Sequence, residues 1–219
     1  VELWGGVDVA VRHTNNEGPG KDSKTQMIGG GMSQSRWGIN VEEDLGGGSK
    51  ALAHLENRFA ADAGNSAVGA PFFQLSYVGL QGPYGRLTAG RQWNVLFDVV
   101  TSTYASFPYS PYMEAYKPEL GMAMGARTSN MLKYMFATPD RRWVGALQYS
   151  FDENNTATGN PGFPGSAAQI PAYVAGTLNG GAWKTAGGYL RFSAAGAAVG
   201  GGYLRTTLPG GTDVDAWTL

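Results

Sequence analysis

Between residues 142 and 152 every second position is a large apolar residue or glycine, Trp143, Gly145, Leu147, Tyr149 and Phe151, with Val144, Ala146, Gln148 and Ser150 between them. A period of two is the spacing of a β-strand whose two faces meet different surroundings. The alternation recurs along the chain. Val1, Leu3, Gly5, Val7, Val9 and Val11 oppose Glu2, Trp4, Gly6, Asp8, Ala10 and Arg12, which predicts one strand over residues 1–12. Gln34, Arg36, Asn40 and Glu42 oppose Ser35, Trp37, Ile39 and Val41, and Lys50, His54, Glu56 and Arg58 oppose Ala51, Ala53, Leu55 and Phe59. Further strands are expected near residues 72–80, 85–92, 127–136, 142–152, 172–178, 182–192, 198–207 and 214–219, the last four with poor boundaries because Gly and Ala blur the period.

The connections alternate in length. Residues 13–24, 60–71 and 153–171 read as polar loops, whereas 43–49, 81–84 and 138–141 read as tight turns. Residues 93–126 are longer still and lack sustained alternation, and such loops are usually functional. The connection at 193–197 is shorter than its place on the long-loop side implies.

Strands of about ten residues, apolar on one face, with short turns at one end and long loops at the other, are the pattern of an outer-membrane β-barrel. A secreted β-sandwich or soluble barrel also alternates. What separates them is that one face carries mutually attractive charges, as a water-filled lumen would, while the other carries Trp, Tyr, Phe, Leu and Val. Composition agrees: 34 of 219 residues are Gly and 15% are charged, against about a quarter charged and about 7% Gly in soluble domains. No apolar run reaches the length of a membrane-spanning helix, so a closed barrel is the remaining way to satisfy the backbone in hydrocarbon. The 16 basic residues are balanced by 17 acidic ones, which disfavours a nucleic-acid partner. The absence of Cys excludes a disulfide framework and a Cys-ligated zinc site.

The segments Leu3-Trp4-Gly5-Gly6-Val7-Asp8, Ser35-Arg36-Trp37-Gly38-Ile39, Glu43-Asp44-Leu45-Gly46-Gly47-Gly48, Leu55-Glu56, Tyr77-Val78-Gly79-Leu80, Gly90-Arg91-Gln92 and Leu96-Phe97-Asp98, in this order and spacing, resemble the general porins of Gram-negative bacteria. The trimeric, anion-preferring kind of β-proteobacteria is the nearest in pattern. The resemblance is clear over roughly the first 150 residues and generic beyond them. It implies an all-β, antiparallel transmembrane barrel of sixteen strands, a homotrimer in the outer membrane, and a third long loop, here 93–126, folded inward to narrow the pore. It further implies wall arginines, carried by Arg36 and Arg127, facing loop acids, carried by Asp98, Glu114 and Glu119. Two features depart from the family. Gln74 stands where an Arg commonly precedes Tyr-Val-Gly-Leu, and the chain stops at Leu219 without a closing strand ending in an aromatic residue. Sixteen strands need roughly 320 residues. The expectation is therefore a single incomplete barrel domain over 1–219 with about ten to eleven of the strands.

The polar face leans positive, with Arg36, Arg58, Arg127 and Lys133 as expected pore-lining bases. Arg91 is carried as a further pore-lining base, although it shares parity with Leu87 and Ala89 and would point outward unless Gly90 marks a bulge. Lys50, Glu56 and Arg142 read as ion pairs holding strands in register. Trp37, Phe59, Tyr134, Phe136, Trp143, Tyr149 and Phe151 read as a lipid face and interfacial girdle. His13 and His54 are the only histidines, and no G-x-S-x-G elbow accompanies them, so catalysis is not expected. Gly46-Gly47-Gly48-Ser49-Lys50 lacks phosphate-loop spacing, and Glu43, Asp44, Asp152 and Glu153 read as solvated acids, so neither cofactor nor metal is expected. The expected partners are outer-membrane lipid and lipopolysaccharide, further copies of the chain, and small anions and polar solutes as permeants. The alternative reading is an outer-membrane barrel with another role, as adhesin, receptor or enzyme.

Overall fold

The computed structural model describes residues 1–31, 33–66, 72–99, 127–151, 184–207 and 212–219. In chain order its elements are β1 (Glu2–Gly6), β2 (Val9–Glu17), β3 (Asp22–Gly29), β4 (Arg36–Gly46), β5 (Ser49–Ala60), β6 (Asn65–Ser66), β7 (Phe73–Gly82), β8 (Gly85–Trp93), α1 (Val95–Val99), β9 (Arg127–Ala137), β10 (Trp143–Ser150), β11 (Lys184–Ala194), β12 (Ala197–Thr207) and β13 (Asp213–Thr218). One sheet runs β1-β4-β5-β7-β8-β9-β10-β11-β12-β13, with β6 attached to β5. Each neighbouring pair is antiparallel. Among the described residues the sheet is open between β1 and β13.

Cα partners share a face, so the register defines rows across the wall. One row reads Glu42, Leu52, Gly79, Thr88, Lys133, Gln148, Gly187, Leu204 and Ala216. The row beside it, on the other face, reads Val41, Ala53, Val78, Ala89, Leu132, Tyr149, Ala186, Arg205 and Asp215. Helix α1 lies against the first of these faces, packing Val95, Leu96 and Val99 onto Ala146, Tyr189, Leu204 and Ala216. That face is the inner one. The outer face exposes Leu3, Val78, Leu80, Leu87, Leu132, Tyr134, Trp143, Leu147, Tyr149, Leu190, Val199, Tyr203 and Trp217. A surface so apolar is suited to hydrocarbon, and the aromatics at its two edges, the Trp143–Phe192 and Tyr149–Phe151 pairs, suit the interfaces. Near the Tyr149 edge the row turns charged. Arg205 there holds Asp215 at 2.7 Å and Asp213 at 3.5 Å.

Several sequence expectations need correction. The strand expected over 1–12 breaks at Val7-Asp8. Asp8 accepts the Gly31 amide at 3.1 Å and the Ser33 amide at 2.5 Å, and its own N–H donates to Ser35 Oγ at 2.9 Å. That local network bends the hairpin, and β2 pairs β3 as a separate two-stranded ribbon. The expected loop 13–24 is mostly this ribbon; it read as a loop because both its faces are exposed and polar. Gln34, placed with the Arg36 strand, precedes β4. The turn expected over 43–49 is confined to Gly47-Gly48, whose φ angles of 61° and 77° fit a tight reversal.

On the far side, β10 pairs directly with β11, so no strand from 172–178 stands between them; those residues lie outside the described set. With that strand removed, the short Ala195-Gly196 turn falls on the same end as 47–48, 83–84 and 138–142. The apparent inconsistency at 193–197 disappears.

Candidate functional site

The inner face at the long-connection end of the wall gathers the expected bases. Arg36 and Arg58 are direct cross-strand partners on β4 and β5. The Arg36 guanidinium lies 5.7 Å from the ring centre of Trp4. Arg58 donates from Nε to Glu56 Oε1 at 2.7 Å and also bonds Gln34. It is 7% exposed, and its guanidinium sits 5.3 Å from the Trp93 ring centre.

Arg127 opens β9 opposite Trp93, with its guanidinium 3.8 Å from that ring's centre. It stands within electrostatic reach of Arg58, Arg91 and Glu56.

Arg91 lies beside an irregularity in the β8–β9 pairing, within electrostatic reach of Arg127. Thr128 and Met131 of β9 face Gln92 and Gly90 of β8, so one extra residue is fitted into β9. Asn130 carries φ 54° and Gly90 φ 132°. Only Gly tolerates the second value without strain. A strict count of two would put Asn130 on the face of Leu132 and Tyr134, and the bulge breaks that count. Arg91 is 8% exposed and donates to Ser129 Oγ at 2.9 Å.

Lys133 takes a different place from the other bases. It is 3% exposed, ion-paired with Asp98 of α1, and donates to the Trp93 carbonyl at 3.0 Å. From the inner row it thereby ties Trp93 and α1 to the wall. Asp98, expected to face the arginines, is turned onto Lys133. Burial pushes the Asp98 carboxyl above the usual carboxylate range, and the Lys133 charge opposes that shift. Glu114 and Glu119 lie outside the described residues.

Three further groups hold α1. Asn94 caps it, its Oδ1 accepting the Phe97 amide at 2.9 Å. The Val95 amide donates to Gln148 Oε1 at 2.7 Å, and Gln148 in turn donates to Thr185 Oγ1 at 2.9 Å. Gly202 leaves room for the helix; a Cβ there would lie 3.0 Å from Val99 and 3.1 Å from Leu96. Trp93, Asn94 and Gln148 were not singled out from sequence. The available signal was Asn94 as a capping residue ahead of Val95 and Leu96.

The other expected groups are accounted for locally. Lys50 pairs Glu42 at 3.0 Å across β4 and β5, and Arg142 pairs Asp140 at 3.5 Å in a turn. Glu56 binds within its own strand, to Arg58, not across strands. His54 approaches Asn40 Oδ1 at 2.6 Å through Nδ1 and stacks on Tyr77 and Trp4; His13 lies on the exposed ribbon beside Thr25 and Asn15.

An antiparallel wall with an apolar outer face and an arginine-rich inner face against which α1 packs defines part of an outer-membrane β-barrel. Residues 1–219 match the Gram-negative porin family throughout, and the chain belongs to that family and to the outer membrane. The chain is 32% identical over 182 residues to outer membrane porin protein 32 of Delftia acidovorans, covering 80% of this chain and 49% of that one. It is 34% identical over 140 residues to an outer membrane porin protein of Bordetella pertussis, covering 61% of this chain and 34% of the relative. In structure it resembles the anion-selective porin from Comamonas acidovorans, with a TM-score of 0.72 and 26% identity over 98% of this chain and 60% of that one. The chain thus spans about half the length or less of the curated relatives it matches.

Proposed function

We propose that the protein forms a water-filled channel for passive diffusion of small polar solutes and ions, weakly to moderately anion-preferring, and that it is not an enzyme. The observation that carries this is the gathering of Arg36, Arg58 and Arg127 on the inner wall, with Arg91 within electrostatic reach of Arg127 and Glu56 ion-paired to Arg58. Rings of guanidinium groups at a narrowing raise the local anion concentration and repel cations. Asp98 subtracts little from that field because it faces Lys133. Similarity to a porin described as anion-selective supports the same sign. In this reading residues 93–126 form the constriction loop, and Glu114 and Glu119 supply opposing charge that tempers the preference. Lys133 acts as an anchor of that loop.

The proposed assembly is a homotrimer, with the exposed apolar residues Leu3 and Val7 free to pack against another copy. The rest of the outer face meets lipid, with lipopolysaccharide at the charged rim beside Lys184 and Arg205. The deciding measurement is the reversal potential across a KCl gradient for the full-length barrel and for Arg36→Ala combined with Arg127→Ala. Anion preference in the wild type, reduced in the double variant, is expected. Cation preference in the wild type, or an unchanged potential in the variant, overturns the assignment.

A further inference from the structure

We propose that Trp93 is a positioning residue for ion preference, a neutral aromatic platform on which Arg127 is held at the inner wall beside Arg58. The inference rests on the reading that these arginines set the sign of the current.

The Arg127 guanidinium carbon lies 3.8 Å from the Trp93 ring centre, and the Phe97 ring stacks on the same indole at 4.0 Å with 15° between the planes. Two groups so near one centroid cannot share a face, so the indole is sandwiched between them. The Arg58 guanidinium stands 5.3 Å from the same centre. Arg127 meanwhile feels the like charges of Arg58 and Arg91. Crowded cations are commonly steadied by a carboxylate, as Glu56 steadies Arg58 at 2.7 Å. An indole attracts a cation through its quadrupole and carries no net charge. A guanidinium, planar and weakly hydrated, is the cation best suited to lie on it.

The opposite face of the indole is closed by Phe97, and Phe97 belongs to α1. That helix is fixed by the Lys133–Asp98 pair, the Asn94 cap and the Val95–Gln148 hydrogen bond. Lys133 also bonds the carbonyl of Trp93 itself. The placement of the two arginines is therefore tied to the root of the inward segment, through Trp93.

The test uses the full-length barrel in planar bilayers, reading reversal potential in a KCl gradient and single-channel conductance. Arg127→Ala is expected to move the potential toward the non-selective value. Trp93→Leu should produce half or more of that shift with formal charge unchanged, and Trp93→Phe should restore most of the wild-type value because it keeps an aromatic face. Arg127→Lys should also shift, since it keeps the charge and loses the planar group. If Arg127→Ala changes nothing, the underlying reading fails and takes the proposal with it. If Arg127→Ala shifts the potential while Trp93→Leu does not, the platform alone is overturned. It is equally overturned if Trp93→Phe behaves as Trp93→Leu, or if Trp93→Leu changes conductance with the potential intact. Should Trp93→Leu fail to form a heat-modifiable barrel, Phe97→Leu, which leaves the wall untouched, decides: a shifted potential supports the platform and an unshifted one overturns it.

Discussion

Gly202 shows how one absent side chain sets the position of an element. It lies on the inner face beneath Val99 and Leu96, and an added Cβ would sit only 3.0–3.2 Å from them and Tyr189, closer than ordinary contact. Gly202→Val should push α1 away from the wall into the lumen and lower single-channel conductance. Gly6→Ala, which meets nothing within 4 Å, should leave it unchanged. Asp140 offers a residue-scale test by pH. Its carboxylate accepts the Thr138 hydroxyl at 2.6 Å and the Arg142 amide at 3.1 Å, and these bonds, the hydroxyl foremost, hold it below the usual carboxylate range. A depressed folded-state value stabilises the turn above the unfolded value of about 3.9 and loses that effect as pH falls through the folded value. The Thr138 and Arg142 amide shifts should therefore titrate at a lower pH than an ordinary aspartate, and not at all in Asp140→Asn. Residues were legible from sequence where the count of two was unbroken, as for Arg36 and Arg58. They were not where the bulge at Asn130 altered the count within β9.

At the scale of elements, the buried Lys133–Asp98 pair joins β9 to α1. Removing one partner of a buried ion pair strands the other charge, at a cost of about 3–5 kcal/mol. Lys133→Met should lower the temperature at which the detergent-solubilised barrel becomes heat-denatured on a gel. Adding Asp98→Leu should recover much of the loss, because no uncompensated charge then remains. Strands with large outward residues, such as β9 and β10, declare themselves by alternation. In β11 and β12 the Gly and Ala content hides it, since Gly187, Gly188, Gly200, Gly201 and Gly202 present no side chain on either face. Helix α1 is five residues long, too short for a 3.6-residue period to emerge. Its existence depends on the cap and on the wall it covers, and the wall is brought to it only by folding.

For the whole molecule, the row running from Glu42 to Ala216 inside and from Val41 to Asp215 outside separates two solvents across one sheet. That separation is a global property, and the sequence carried it in nearly every strand, which is why the barrel class could be read before any contact was known. Which charges would meet across the lumen could not be read, because it depends on side-chain direction at strand ends and on where α1 docks. The proposed anion preference has a salt signature. Exposed charges act over about 10 Å at 0.1 M salt and about 3 Å at 1 M. The preference measured from reversal potentials should decline steadily across that range, and an undiminished preference at 1 M would count against a field from the arginine group.

The bend at Asp8 has a consequence for how this protein tolerates change. The β2–β3 ribbon is hydrogen-bonded to itself and leaves the wall at a hinge of backbone and side-chain bonds among Asp8, Gly30, Gly31, Ser33 and Ser35. Insertions or deletions at its tip, Gly18 to Lys21, are absorbed beyond that hinge, and β1 keeps its register with β4. The tip is thus a site where length and sequence are free to vary under selection, as a grafted peptide or a drifting epitope would, while the wall of the barrel stays the same.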